Sequence, residues 1–152
     1  PKIVISRKHE DFLKELFRVE IPEIDDGTIE IKSVSREAGS RAKVAVYSTQ
    51  EGLDTVGACI GQKGQRIKTI VDELNGEKID IIEWVADKAE FVKASLSPAQ
   101  VKTVEILEDH VTARVVVHPS QLSLAIGKSG QNARLAAKLT NMRIDIKTEE
   151  VK

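Results

Sequence analysis

The 152-residue sequence has little cysteine, few aromatic residues and no long apolar run. The single cysteine, Cys59, can form no internal disulfide and cannot build a metal cage, which suits a reducing compartment. Aromatic residues are 3% of the chain (Phe12, Phe17, Tyr47, Trp84 and Phe91), which argues against readers that stack successive bases on aromatic faces. No apolar run reaches membrane-spanning length, and no signal-peptide pattern opens the sequence. The formal net charge of -1 argues against a uniformly basic nucleic-acid binder. What remains is ordinary globular material. Hydrophobic residues are 41%, enough for a packed core and against wholesale disorder. The length suits one domain or two small ones.

The net charge conceals an uneven distribution. Residues 31–48, 60–70 and 126–138 each sum to +3, whereas residues 1–30 sum to -3 and residues 71–96 to -4. The three basic islands alternate with acidic stretches.

The chain also repeats itself. Ile60-Gly-Gln-Lys-Gly-Gln65 returns as Ile126-Gly-Lys-Ser-Gly-Gln131, at an offset of 66. Each copy leads into a run of helical period: Ile67, Ile70, Val71 and Leu74 in the first, Ala133, Ala136, Ala137 and Thr140 in the second. Each run meets a breaker, Asn75-Gly76 or Thr140-Asn141, and then a strand seed, Ile79-Asp80-Ile81 or Ile144-Asp145-Ile146. Upstream, strands are expected over 28–34 and 42–47, joined by a polar loop over 36–41, and again over 101–107 and 111–117 around Glu108-Asp109. Short helices are expected over 54–59 and 120–125, the second with Pro119 in its first turn. Longer helices are expected over 9–18 and 87–95. The order helix, strand, strand, helix, Gly-x-x-Gly, helix, strand thus occurs twice. An α+β fold of two domains follows, over residues 8–85 and 86–152. Residues 1–7 read as the end of something that precedes them, so the chain is expected to be a piece of a longer protein.

One Gly-x-x-Gly is weak evidence; at nine glycines, chance supplies about half a match. Two matches with the same flanks and the same distance to Ile-Asp-Ile are a strong signal. Glycines remove the Cβ atoms that would hold another backbone away. The helix after the second glycine offers unpaired N–H groups and a positive dipole end, which together favour an anion. A sugar-phosphate backbone can therefore cross the turn, with Lys63, Arg66, Lys128 and Arg134 neutralising phosphates. Walls of Ile60, Ile67, Ile81, Ile126 and Ile146 can receive bases without aromatic stacking. A P-loop is excluded, because Leu122 stands where Gly127-Lys128-Ser129 would need a preceding glycine.

The paired units resemble tandem KH domains of the prokaryotic, type II topology. Phe12-Leu13 to Phe17, Glu20-Ile21-Pro22-Glu23, Gly27–Ile31, Gly39–Val46, Gly57–Gly61, Gly76–Ile82 and Leu124–Gly127 are similar to the tandem KH region of the NusA family of bacterial transcription factors. The resemblance covers essentially the whole chain. It implies that residues 1–7 leave an OB-type barrel, and that both KH domains bind single-stranded nascent RNA in regulating pausing, termination and antitermination. It further implies RNA polymerase as a partner through a region absent here, other antitermination factors as partners, no membrane, no cofactor or metal, and a bacterial cytoplasmic location. By motif match, the implied RNA-binding residues are Ile60, Gly61, Gln62, Lys63, Gly64, Gln65, Arg66 and Ile81, then Ile126, Gly127, Lys128, Ser129, Gly130, Gln131, Asn132, Arg134 and Ile146. Arg36, Arg41 and Lys43 are expected to add contacts. The chain departs from the family at Thr55, where Pro is frequent, at Lys63, where Arg is frequent, and at Ser129, which leaves one cation within the second turn.

Other functions have less support. His9, His110 and His118 are scattered without carboxylate or thiol partners, so no catalytic site is expected. Cys59 reads as core rather than nucleophile. Asp80 and Asp145 are expected to face solvent or edge a groove. The alternative is a protein-interaction scaffold docking to the transcription or translation machinery, with the acidic stretch 71–96 and Trp84 serving a protein and RNA contact secondary.

Overall fold

The computed structural model describes residues 10–149, so the expectation for residues 1–7 lies outside the described residues. The chain divides into two units, the first ending at Glu83 and the second starting at Trp84.

In the first unit, helix α1 (Glu10–Glu20) turns Leu13 and Phe17 into the core at full burial, with Phe12 and Leu16 beside them. That is the i, i+4 stripe of an amphipathic helix. Pro22 then stands at the start of a second, four-residue helix, α2 (Pro22–Asp25). Proline suits a first helical turn, where its missing N–H costs nothing. No periodicity marks four residues, and the sequence reading did not find α2. Strands β1 (Glu30–Glu37) and β2 (Arg41–Tyr47) form an antiparallel hairpin. The hairpin loop is shorter than expected, residues 38–40 alone, because Arg36 and Glu37 continue the ladder opposite Ala42 and Arg41.

Helix α3 (Thr55–Ile60) is capped by Asp54, whose Oδ1 accepts the Gly57 N–H at 3.0 Å. A 3₁₀ turn (Gln62–Gly64) leads into α4 (Gln65–Glu73). Asn75 and Gly76 both take positive φ and end the helical path. Strand β3 (Lys78–Glu83) then lies parallel to β2, on the side opposite β1. Apart from Phe17 and Cys59 the core is aliphatic: Leu13, Ile21, Ile29, Ala42, Val44, Val46, Ile70 and Leu74. Each large side chain so buried contributes about 1.5–3 kcal/mol of transfer free energy.

The second unit repeats the scheme. Asp87 caps α5 (Lys88–Ser95) through the Glu90 N–H. Strands β4 (Thr103–Ile106) and β5 (Thr112–Val117) form the hairpin. The expected helix over 120–125 resolves into a 3₁₀ turn (Pro119–Gln121) and α6 (Leu122–Ile126), since the His118 ring nitrogen Nδ1 accepts the Ser120 N–H and tightens the start. A second 3₁₀ turn (Lys128–Gly130), α7 (Gln131–Thr140) and β6 (Arg143–Thr148) follow, with β6 parallel to β5. Asn141 ends α7 in the left-handed region, at φ 55° and ψ 41°. The core is Val92, Leu96, Ala99, Ala113, Val115, Val117, Ala125, Ala136 and Met142. Trp84 meets Phe91 edge to face, with ring centroids 6.4 Å apart.

Candidate nucleic-acid interface

The two glycine turns have the same backbone. Gly61 and Gly127 adopt φ/ψ of 82/171° and 79/169°, Lys63 and Ser129 adopt 55/26° and 55/27°, and Gly64 and Gly130 adopt 72/15° and 76/11°. A non-glycine residue held in the left-handed region at the same place in both copies is a built feature. Lys63 and Ser129 are both exposed there.

The two glycines of each turn do different work. A Cβ on Gly61 would lie 2.7 Å from Cγ of Arg66, and one on Gly127 would lie 2.6 Å from the Asn132 backbone nitrogen. The first glycine therefore lets the following helix fold back against the turn. A Cβ on Gly64 would meet nothing within 4 Å, and one on Gly130 would meet only the Arg134 guanidinium at 3.7 Å. Open space lies over the second glycine, where a ligand backbone can approach. Gly64 and Gly130 are also the N-caps of α4 and α7 and offer no side-chain acceptor. The Gln65 and Gln131 N–H groups close the turns onto the Gln62 and Lys128 carbonyls, and no side chain caps the helix starts behind them, whose dipole ends favour an anion.

Cations stand within the turns, and the expected aliphatic wall residues are only partly buried. Lys63 and Lys128 are exposed within the turns, and neither has a carboxylate partner among the described residues. Gln62, Gln65 and Gln131 flank them at the surface. Arg134 lies against the second turn and donates from Nη1 to the Ser129 carbonyl at 3.0 Å. Ile67 and Ile81 are partly buried against the first core, and Ile146 against the second. Ile60 is half-buried, and Ile126 is 38% exposed. Leu124 is a second exposed aliphatic side chain on α6, at 48%. The sequence reading missed Leu124 as a site residue, although its phase holds the signal. Ala125 turns fully into the core, while Leu124 and Ile126 beside it stay exposed.

Several expected contacts are placed elsewhere. Arg66 is tied inward: Nη1 donates to Glu23 Oε2 at 2.6 Å and to the Ala58 carbonyl at 2.8 Å. Asn132 has no exposed surface. Its Nδ2 donates to the Leu96 and Ala125 carbonyls, each at 3.0 Å, and so joins α5, α6 and α7. Its side chain is a structural brace, enclosed within the unit. Arg36, Arg41 and Lys43, expected to add contacts, are likewise engaged in ion pairs within the fold. Arg36 is 6% exposed and pairs with Glu77. Lys43 is 0% exposed and donates to Asp80 at 2.8 Å, and Arg41 binds the same carboxylate at 2.9 Å. Burial pushes the Lys43 ammonium below the usual lysine range, against the opposing pull of Asp80. The basic island over 31–48 is thus consumed by internal ion pairs. Asp80 lies in that network rather than facing solvent, whereas Asp145 is half exposed.

Cys59 is fully buried, and its burial pushes the thiol up to about 12, with the Glu23 carboxylate adding to the shift. A thiol so protonated is no nucleophile. Among the described residues, no group of three His, Cys, Asp or Glu side chains could hold a metal ion. No helix there is long and apolar enough to cross a membrane.

Two αββααβ units, each with a β1-β2-β3-type sheet and a Gly-x-x-Gly turn between its last two helices, define a tandem KH protein of type II topology. The profile of the NusA-like first KH domain matches residues 7–84, and that of the NusA-like second KH domain matches residues 88–152. The chain belongs to the NusA family. It is 57% identical over 149 residues to the transcription termination/antitermination protein NusA of Halalkalibacterium halodurans, covering 98% of this chain and 39% of that protein. The NusA of Bacillus subtilis is 56% identical over 149 residues, with 98% and 40% covered. The chain therefore spans about two-fifths of the length of these relatives. The crystal structure of APE1850 shares the fold, with a TM-score of 0.64 over 94% of this chain and 100% of its own at 23% identity.

Proposed function

We propose that this chain binds single-stranded RNA through its two Gly-x-x-Gly turns, as the RNA-holding part of a longer factor that regulates pausing, termination and antitermination. The observation that carries the reading is the matched geometry of the two turns, each with open space over its second glycine and an uncapped helix N-terminus behind it. A strand's phosphates meet the N–H groups of α4 and α7 together with Lys63 and Lys128. Its bases lie against the aliphatic walls, as KH domains clamp short unpaired stretches. RNA polymerase contact belongs to parts of the longer protein outside this chain. Nascent RNA and other antitermination factors are its further partners, in the bacterial cytoplasm.

The test is fluorescence anisotropy with an unstructured RNA. Gln62→Asp with Lys63→Asp, and separately Lys128→Asp with Ser129→Asp, place acids where phosphates would bind. Each pair is expected to weaken binding at least tenfold, since several charge-assisted contacts reverse sign. Wild-type affinity in both pairs, with unchanged circular dichroism, overturns the reading. Preference for duplex over single-stranded RNA overturns the single-strand claim.

A further inference from the structure

Beyond the turns, the second unit has an open depression of about 550 Å³ where α7 ends and β6 begins. Val111, Ala137, Lys138, Asn141, Met142 and Arg143 line it. Its floor is apolar, with Val111 51% exposed. Its rim is basic, with Lys138 and Arg143 exposed and no acid among the lining residues. Neither cation is hydrogen-bonded to a carboxylate among the described residues. Arg143 acts through space on Asp109. That carboxylate is already engaged, Oδ1 by the Val111 and Thr112 N–H groups and Oδ2 by the Thr112 hydroxyl. The backbone holds the rim in place: the Arg143 N–H donates to the Val111 carbonyl at 2.7 Å, and the left-handed Asn141 turns the chain between Lys138 and Arg143.

Helix α7 links the second turn to the depression: it starts beside Gly130, and its last turn lines the depression. Ala133 and Ala137 are four residues apart and share one face of α7. Lys138 lies roughly 10 Å along the helix axis from Gln131. The first unit keeps only half of this rim: Lys78 begins β3 as Arg143 begins β6, but Asp72 holds the place of Lys138 at the repeat offset of 66. We infer that this depression is a further single-stranded RNA contact, taking the nucleotides next to those held at the second turn, with Lys138 and Arg143 on phosphates and Val111 and Ala137 beneath a base. The inference rests on the RNA reading above and deepens it, making the second unit's path longer than the first's.

The experiment uses the whole chain and a twelve-nucleotide unstructured RNA, with affinity measured between 50 and 200 mM salt. Each lost phosphate contact lowers the single-strand salt slope by about 0.7, so Lys138→Gln with Arg143→Gln is expected to lower it by about 1.4. Wild type then loses about sevenfold more affinity across that range than the double variant does. Lys138→Arg with Arg143→Lys keeps both charges and is expected to retain the wild-type slope, which separates charge from folding. Lys93→Gln with Lys102→Gln removes the same charge elsewhere in the unit and is expected to leave the slope unchanged. A wild-type slope in the 138/143 glutamine pair, beside weakened binding in the 128/129 aspartate pair, overturns this inference and leaves the RNA reading standing. Wild-type binding in the 128/129 pair overturns the continuous path. Binding of a polyglutamate peptide that the 138/143 glutamine pair abolishes, with RNA affinity untouched, overturns it in favour of an acidic protein segment.

Discussion

Arg36 grips Glu77 through two parallel bonds, Nε to Oε2 at 2.8 Å and Nη2 to Oε1 at 3.0 Å. Glu77 has no exposed surface and also accepts the Gly39 N–H at 2.8 Å. One carboxylate thus closes the β1–β2 turn from a position 41 residues further along. Glu77→Ala strands a buried guanidinium, at a cost of about 3–5 kcal/mol. Urea denaturation is expected to show that loss, and the double change Arg36→Met with Glu77→Leu is expected to recover most of it. A cost below 1 kcal/mol for Glu77→Ala would show the pair to be dispensable.

The four turn glycines should separate stability from binding. Gly127→Ala drives a methyl into the Asn132 backbone, which cannot step aside, and Gly61→Ala meets first the stem of Arg66, which can shift in part. Gly127→Ala is therefore expected to be the most destabilising of the set, at about 3 kcal/mol or more from clash and positive φ together. Gly64→Ala faces open space and carries only the left-handed penalty of about 1–2 kcal/mol. It is expected to stay folded in a thermal melt while weakening RNA in an anisotropy titration.

Asn132→Ala removes two donors from buried carbonyls of Leu96 and Ala125. A loss of about 2–4 kcal/mol is expected, since each stranded acceptor costs about 1–3 kcal/mol. The same change at Gln131, which is only half-buried, is expected to leave stability within about 0.5 kcal/mol. Equal melting temperatures for the two variants would refute the brace.

Acid should act on the β4–β5 hairpin. Hydrogen bonds from Thr112 and Val111 hold the Asp109 carboxyl below the usual aspartate range. A carboxylate with a depressed folded pKa stabilises above its unfolded value, and that stability is lost as pH falls through the folded one. Wild type is expected to lose stability relative to Asp109→Asn as the pH is lowered from 5 to 2, read from urea midpoints at each pH. A constant difference across that range would count against the carboxylate's role.

Much of the fold was legible because it is local and repeated. The two Gly-x-x-Gly turns and the breakers at Asn75 and Asn141 declare themselves in short stretches, and Asn75 and Asn141 do take positive φ. What escaped depends on distant partners. Nothing near Lys43 shows that its side chain is enclosed beside Asp80, 37 residues away, and nothing near Asn132 announces the Leu96 carbonyl, 36 residues away. Charge counted along the chain took Arg36, Arg41 and Lys43 for free cations, although their countercharges arrive with β3 and the turn before it. Helix α2 was missed for the opposite reason, since four residues are too few for any period to show.

Arg66 and Asn132 occupy the same place in the two copies, yet one is moored to a carboxylate on α2 and the other to neutral carbonyls. Drawing Arg66 onto a phosphate would exchange it from Glu23, whereas Lys63 in the same turn has no carboxylate among the described residues to give up. At the second turn the equivalent side chain, Asn132, holds no carboxylate. Two clamps copied from one pattern therefore respond differently to their medium: added salt loosens the mooring of the first and leaves that of the second as it was.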